Sequence, residues 1–187
     1  YFFIMKFVIE HLEKELSEWS LIEYKHISKI VNGNVIFTNV KNNEELTKLG
    51  TIKKESVSEL DFENICVLDL DAEKELKTSD SFDYFVFGGI LGDDPPQKRT
   101  EKLIKKLKGK FQTRNLGKKQ MSTDTAVLVT KKILDGCELS EIEFKDGIEI
   151  EIREGESILL PYRYVMDKGK PVVSDELLLY LKKKEDF

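Results

Sequence analysis

The chain has 187 residues, the usual length of a single domain, and 35% of them are charged. Its formal net charge of -5 excludes an overall basic surface that binds nucleic acid by counterion release and suits a basic partner. Two cysteines, Cys66 and Cys137, and two histidines predict neither a disulfide framework nor a metal site. No apolar segment has the length of a membrane span, so we expect a cytoplasmic protein without a membrane partner.

Apolar runs of strand length alternate with helical patterns through most of the chain. The predicted strands are residues 6–9, 35–40, 65–70, 84–87 and 111–116. The predicted helix starts are Ser17, Asp94 with Pro95, and Ser122 or Thr123. These residue types are favourable at the first positions of a helix. The polar stretch 41–63 has only weak helical character. The alternation predicts an α/β domain with a mainly parallel sheet.

The last part of the chain has a different pattern, in which apolar and charged residues alternate. This pattern predicts a small β-hairpin at about residues 140–157. The dipeptide Asp146-Gly147 is typical of a primed two-residue turn, so we expect the turn there. Ser174 then caps a predicted helix over residues 175–184.

The densest group of unusual residues follows the predicted strand 84–87. Three glycines in residues 88–92 would let a ligand approach the backbone closely at the carboxyl edge of a sheet. The segment matches no phosphate-binding motif, and Asp93 and Asp94 place negative charge where a phosphate needs positive potential. The segment therefore favours a neutral or cationic ligand. A tight turn with an aspartate cap explains it equally well.

Two further segments, residues 114–126 and 161–164, carry more polar or rigid side chains than a simple connection needs. A capped helix and an ordinary edge turn are the alternative explanations. Three of the four arginines, Arg99, Arg114 and Arg163, lie in or beside the three segments of a chain that otherwise uses lysine. This choice indicates that the forked guanidinium pairs with a carboxylate or stacks on an aromatic ring there.

Glu10 and His11 end the first predicted strand. Glu10 is a candidate acid facing a substrate, although an ordinary solvated charge is the commoner outcome for a glutamate. His11 has no serine or cysteine partner at a recognisable spacing, so a hydrolase relay is not expected. Trp19 is expected in the core.

A wider set of residues resembles one enzyme superfamily. The resemblance is carried by Glu10-His11, Ser17-Glu18-Trp19, Glu23-Tyr24, residues 82–100, Leu116-Gly117, Lys119-Gln120-Met121, residues 123–126, Pro161-Tyr162-Arg163-Tyr164, Asp167-Lys168 and Gly169-Lys170-Pro171. With them, the chain resembles the SPOUT superfamily of S-adenosylmethionine-dependent methyltransferases. It is most similar to the branch with archaeal predicted RNA methyltransferases and the fungal enzyme that methylates an arginine of ribosomal protein uS3.

The resemblance covers nearly the whole chain and implies one SPOUT-like domain over residues 1–187. Members of this branch typically begin with Met-Lys, so residues 1–4 are expected to be an extension before Met5. Leu70 stands where the family usually has proline, and the segment between Val40 and Ile65 is short beside the eukaryotic members. That segment is therefore expected to influence substrate choice.

The resemblance implies a mainly parallel sheet with a trefoil knot near the carboxyl end, which residue patterns alone would not suggest because true knots are very rare. The implied knot loops, residues 88–92, 114–121 and 158–164, coincide with the three unusual segments. They are expected to hold S-adenosyl-L-methionine, which carries a sulfonium and no phosphate. The implied cofactor-binding residues are Gly88, Gly89, Leu91, Gly92, Leu116, Gly117, Gln120, Met121, Thr123, Pro161 and Tyr162.

The resemblance further implies methylation of an arginine in a basic ribosomal protein or ribosomal subunit. An arginine arrives as a cation that carboxylates must orient and relieve of a proton, so Glu10 and Asp94 are the candidate catalytic residues. One alternative is an RNA methyltransferase of the same fold, with a local lysine patch over residues 105–110. Another is a non-catalytic ribosome-associated module, against which the intact loop motifs argue. The sequence leaves monomer or homodimer undecided.

Overall fold

The computed structural model describes residues 5–41, 43–89, 99–109 and 111–184. The described strands are β1 Lys6–His11, β2 Val35–Thr38, β3 Thr51–Ile52, β4 Ile65–Leu68, β5 Tyr84–Gly89, β6 Phe111–Arg114, β7 Phe144–Arg153, β8 Glu156–Asp167 and β9 Lys170–Pro171. The described helices are α1 Glu18–Ile30, α2 Glu44–Thr47, α3 Arg99–Lys106, α4 Thr123–Leu134 and α5 Asp175–Lys184, with 3-10 turns at Val57–Glu59 and Leu139–Glu141. Strands and helices alternate as the sequence predicts.

The first six strands form one sheet in the order β3-β2-β1-β5-β4-β6, and all of its strand pairs are parallel. The predicted mainly parallel sheet is therefore confirmed. In the central pair, Glu10 and His11 of β1 lie beside Gly88 and Gly89 of β5. Because β4 lies between β5 and β6, the carboxyl ends of β5 and β6 lie at the same sheet edge on either side of β4.

Both faces of the sheet are covered, which agrees with the continuous apolar run of residues 84–87 in β5. Phe7 and Phe85 point to the face covered by α1 and α4, whereas Val8 and Val86 point to the face covered by α3. Cys66 of β4 is fully buried, and burial raises the pKa of its thiol to about 12. Cys66 is therefore a small residue of the core.

The antiparallel hairpin exists, but its predicted turn is wrong. β7 continues through Asp146-Gly147, where a register shift against β8 marks a bulge and Gly147 adopts a φ of +72°. The turn lies instead at Glu154-Gly155, where Gly155 has a φ of +80°. Residues 158–164 therefore lie inside β8 and form no loop.

Most predicted helix starts are confirmed. Ser17 caps α1 by accepting a hydrogen bond of 3.1 Å from the Ser20 backbone N–H. Ser122 is the N-cap residue of α4, although its side chain caps no backbone group. The start predicted at Asp94 and Pro95 lies outside the described residues. None of the described helices is long and apolar enough to cross a membrane.

Candidate functional site

Two of the three predicted loop segments meet directly at the carboxyl edge of the sheet. β6 leads into residues 115–122, here called the β6–α4 loop, and this loop runs beside β8. The Arg163 backbone N–H donates to the Gln120 carbonyl at 2.9 Å, and Met121 and Arg163 form a parallel bridge. Gly88 and Gly89 end β5 at the same edge, on the other side of β4.

The predicted cofactor residues fall in several kinds of position. Leu116 is buried in the main core, and Gly117 has a φ of +92° that favours glycine. Thr123 is the first residue of α4. In β8, Pro161 is exposed, and Tyr162 packs with the cluster around Ile22 and Leu160. Leu91, Gly92 and the predicted catalytic Asp94 lie outside the described residues.

The segment after β4, residues 69–76, is a neighbour of the β6–α4 loop that the sequence did not reveal. Asn115 joins the two: its backbone N–H donates to the Lys74 carbonyl at 2.8 Å, and its side-chain amide donates to the Ala72 carbonyl at 2.8 Å. The Asn115 Oδ1 in turn accepts from the Gly117 backbone N–H at 2.9 Å. The only sequence signal was an asparagine two residues before a glycine, which is typical of a local side-chain turn.

The arginines at this edge form the predicted carboxylate pairs. Arg114, which ends β6 and is not part of the loop, donates to both Asp80 carboxylate oxygens at 2.9 and 2.8 Å and stacks on Phe82. Hydrogen bonding from Arg114 lowers the pKa of Asp80. Arg163 likewise donates to both oxygens of Asp146 at 2.6 and 3.1 Å. The Arg163 guanidinium also lies 5.1 Å from the centre of the Phe144 ring.

Arg99, the remaining arginine of the predicted set, begins α3. Its side chain lies outside what the structure describes.

Glu10 is buried, with 2% of its surface exposed, and its carboxylate accepts three hydrogen bonds. Oε2 accepts from Thr38 Oγ1 at 2.5 Å and from the Val57 backbone N–H at 2.9 Å, and Oε1 accepts from Ser56 Oγ at 2.6 Å. The carboxylate therefore joins β1 to β2 and to the 3-10 turn at Val57–Glu59. Within the described part of the chain, Oε1 has one donor, which leaves an acceptor position on that oxygen.

His11 is also buried, on the opposite face of β1. Its Nδ1 lies 2.8 Å from the Tyr24 hydroxyl, and its Nε2 has no hydrogen-bond partner among the described residues. Burial lowers the pKa of His11, and the Glu13 carboxylate and the Glu15 backbone oppose this shift. The ring packs edge-on against Tyr24, so the described contacts of His11 are those of a core residue.

An open groove of about 1340 Å³ lies beside Glu10, between the β1–α1 loop and α3. Among the described lining residues, the side formed by the β1–α1 loop and the 3-10 turn carries four carboxylates, those of Glu10, Glu13, Glu15 and Glu59, and one lysine, Lys14. We call this side the acidic wall. The opposite wall carries basic side chains, those of Lys102, Lys105, Lys106 and Lys108. The groove therefore presents carboxylates on the side next to the carboxyl end of β1, where Glu10 lies in register with Gly88.

Comparison with known proteins identifies the family. Residues 6–186 match the family described as protein arginine N-methyltransferase SFM1-like. The chain belongs to this family. It is 38% identical to protein arginine N-methyltransferase SFM1 of Saccharomyces cerevisiae over 202 aligned positions, which cover 96% of this chain and 95% of the yeast protein.

Solved structures agree with this membership. Yeast SFM1 complexed with SAM (S-adenosylmethionine) matches with a TM-score of 0.89 and 35% identity, covering 96% of this chain and 91% of that one. Dual-specific Trm10 from Thermococcus kodakaraensis matches with a TM-score of 0.55 and 19% identity, over 73% of this chain and 96% of that one. The Trm10 likeness shows the SPOUT fold alone. The predicted α/β fold with a mainly parallel sheet and the methyltransferase class are thereby confirmed, and the SAM complex agrees with the predicted cofactor.

Proposed function

We propose that this protein transfers a methyl group from S-adenosylmethionine to an arginine side chain of a basic ribosomal protein. The observation that carries the proposal is the meeting of the β6–α4 loop with β8 at the carboxyl edge beside Gly88-Gly89. This is the edge at which open α/β sheets bind ligands. The family membership supplies the reaction class, and the relative with SAM bound supports the choice of cofactor.

The residues at this edge fit an adenosyl ligand. Met121 offers an apolar side chain, Gln120 offers an amide, and Gly117 keeps the backbone free of a Cβ atom, while the core residue Leu116 holds the loop against the domain. When bound, the cofactor supplies an electrophilic methyl group on its sulfonium. The protein's part is to hold an acceptor nitrogen in line with that group at about 3 to 3.5 Å.

The acidic wall of the groove supports an arginine as the acceptor. A guanidinium has a pKa above about 12 and arrives as a cation, which carboxylates orient through charge-assisted hydrogen bonds. Glu10 lies in register with Gly88, on the strand next to β5, so an acceptor held by the free position on Oε1 reaches the predicted cofactor edge. Asp94 remains a candidate second carboxylate from the segment that follows β5.

The trefoil knot also belongs to this proposal. The pairing of Met121 with Arg163 supports it, because it places a strand late in the chain against the loop that follows β6. A chain threaded in this way would hold the cofactor loop from both sides. A knotted chain should regain its native topology only with difficulty after full denaturation. A refolding experiment therefore tests this part of the proposal.

RNA is the second candidate acceptor, because the basic wall of the groove carries Lys102, Lys105, Lys106 and Lys108. Lysines on one face provide a sequence-independent attraction to phosphates. One experiment separates the two acceptors. The protein is incubated with methyl-labelled S-adenosylmethionine and undermodified ribosomal subunits, and the product is divided between nuclease and protease digestion. Label released by protease alone supports the proposal, and label released by nuclease alone replaces it with RNA methylation.

The role of Glu10 is tested by Glu10→Gln, measured well below the unfolding temperature of the variant. Loss of a charge-assisted hydrogen bond to the guanidinium should slow single-turnover transfer by about 10- to 100-fold. Binding of S-adenosylhomocysteine should change little, because Glu10 faces the acceptor groove. Glu59→Gln, on the outer part of the acidic wall, is the matched control. Unchanged transfer by Glu10→Gln would limit Glu10 to its structural contacts.

A further inference from the structure

A buried polar cluster lies directly behind the β6–α4 loop. We call it the α1–α4 acid cluster, and it comprises Glu23 and His26 of α1, Ser122 and Asp124 at the start of α4, and Tyr164 of β8. Glu23 and Asp124 each have 5% of their surface exposed. Two carboxyl groups are rarely buried together, because removing charge from water is costly unless each group has partners. The cluster plays no part in the acceptor groove.

Asp124 uses both of its carboxylate oxygens within the cluster. Oδ1 accepts from Ser122 Oγ at 2.6 Å and from the Thr125 backbone N–H at 2.9 Å, and Oδ2 lies 2.6 Å from His26 Nδ1. The Ser122 hydroxyl is thereby directed to Asp124 and to the Thr125 hydroxyl, and it caps no backbone N–H of α4. Asp124 therefore satisfies the Thr125 N–H, and the Thr123 N–H at the very start of α4 takes its acceptor from outside the helix.

Glu23 supplies that acceptor from a different helix. The Thr123 backbone forms a hydrogen bond with the Glu23 carboxyl group, and Thr123 is the first residue of α4. The position of the first turn of α4 is thus fixed from α1. Thr123 also lies two residues after Met121, which pairs with Arg163 of β8. A shift at Thr123 must therefore move the part of the β6–α4 loop that contacts β8.

We propose that Glu23 is a positioning residue for the cofactor site: by holding the start of α4 through Thr123, it keeps the β6–α4 loop in its ligand-binding shape. This inference rests on the proposed function in so far as the loop binds the adenosyl cofactor. It assigns no contact between Glu23 and the cofactor. Glu23 acts through the Thr123 backbone and through its neighbour Asp124.

The charge on Glu23 gives this role a distinctive pH dependence. Burial, followed by the nearby Asp124 carboxylate, raises the pKa of Glu23 well above its ordinary value, and the hydrogen bond from the Thr123 backbone opposes this shift without cancelling it. The titratable groups beside Glu23 are Asp124 of α4, Tyr24 of α1 and Tyr164 of β8, and His26 of α1 is paired with Asp124. Ionised Glu23 would place a second negative charge beside Asp124, so rising pH should loosen the junction of α1 and α4 and weaken cofactor binding.

The test compares the affinity for S-adenosylhomocysteine of wild type, Glu23→Gln and Glu23→Ala by calorimetry from neutral to alkaline pH. Glutamine keeps the acceptor oxygen and cannot ionise, so Glu23→Gln should bind like wild type at neutral pH and lose the alkaline weakening. Glu23→Ala removes the acceptor and should bind about tenfold more weakly, as expected for one lost buried hydrogen bond. Glu18→Gln, at an exposed position of the same helix, should retain the wild-type profile.

The outcomes separate this inference from the proposed function. A wild-type protein that binds no S-adenosylhomocysteine at any pH would overturn both. Wild-type binding together with an alkaline weakening that persists in Glu23→Gln would overturn the positioning role alone. Should Glu23→Ala fail to fold, as circular dichroism would reveal, the pH profile of Glu23→Gln still decides, because a merely structural glutamine substitution would not flatten it.

Discussion

Two arginine–aspartate forks flank the β6–α4 loop, and they differ chiefly in burial. At the start of the loop, Arg114 and Asp80 have side-chain exposures of 10% and 16%. Beside its later part, Arg163 and Asp146 have exposures of 23% and 49%. Both forks are bidentate, and both arginines stack on a phenylalanine ring. The same kind of bidentate ion pair therefore occurs once in the protein interior and once at its surface.

The difference in burial indicates that the two forks contribute unequally to the free energy of unfolding. Removing one partner of a buried pair leaves a desolvated charge without compensation, whereas exposed pairs are screened by water and salt. Arg114 also donates to the Gln112 side chain and the Thr113 carbonyl, so it is the centre of a small network. We therefore expect the start of the loop, next to β6, to be held mainly by the Arg114–Asp80 fork. The later part of the loop, next to β8, should be held mainly by the backbone hydrogen bond between Gln120 and Arg163.

Asp80→Asn should have the largest effect on stability. The change removes the charge that compensates Arg114, and the free energy of unfolding should fall by about 2 to 3 kcal/mol. Urea denaturation measures the loss, and Asp146→Asn is the matched variant of the exposed fork. Equal losses in the two variants would show that burial does not distinguish the forks.

Acid should weaken the same fork. Hydrogen bonding from Arg114 lowers the pKa of Asp80, so the folded value lies below the unfolded one. The contribution of such a group is present above its unfolded pKa and is lost as the pH falls through the folded pKa. The stability difference between wild type and Asp80→Asn should therefore be constant near neutral pH and shrink below about pH 4. A difference that persists in stronger acid would contradict the ionic role of Asp80.

For the parallel sheet, the sequence predicted the individual strands better than their order in the sheet. Apolar runs such as Phe85 to Phe87 indicated a strand covered on both faces, because such strands lack alternation. Nothing local could place β4 between β5 and β6, or bring Asp80 to Arg114 across 34 residues. Sheet order and long-range pairs follow from the packing of the whole chain, so the segment after β4 was missed as a neighbour of the predicted site.

For the hairpin, the sequence predicted the strand arrangement correctly but not the position of the turn. Alternation correctly predicted an antiparallel pair, but Asp146-Gly147 and Glu154-Gly155 both contain a glycine that permits positive φ. The aspartate–glycine pair is the stronger local turn signal, yet the chain uses it as a bulge, and β7 continues for six more residues after Gly147. Pairing with β8 and packing against α5 decided the register. Residue composition singled out the three segments, and the family resemblance supplied their expected role as cofactor loops.

Gly117→Ala should have an intermediate effect on stability and a larger one on binding. Gly117 has a φ of +92°, and an added Cβ would lie 3.8 Å from Arg163 Nη1, which is an ordinary contact. The cost therefore comes from backbone strain, about 1 to 2 kcal/mol. Gly155→Ala at the hairpin turn, with a φ of +80° and no atom within 4 Å of the added Cβ, is the matched control.

Both glycine variants should lose similar amounts of unfolding free energy in urea. Only Gly117→Ala should weaken S-adenosylhomocysteine binding in calorimetry, because only Gly117 lies in the predicted cofactor loop. Equal binding by the two variants would place the cofactor elsewhere.

Asp146→Asn should have the smallest effect. The pair is half exposed, so its loss should lower the free energy of unfolding by less than about 1 kcal/mol. Arg163 would remain over the Phe144 ring, a contact worth about 0.5 to 1 kcal/mol, and its backbone N–H would still donate to Gln120. The small loss should shrink further in about 1 M salt, where exposed charges are screened within about 3 Å. Urea denaturation at low and high salt measures both quantities. A large, salt-independent loss would mean that the exposed fork holds the loop as the buried one does.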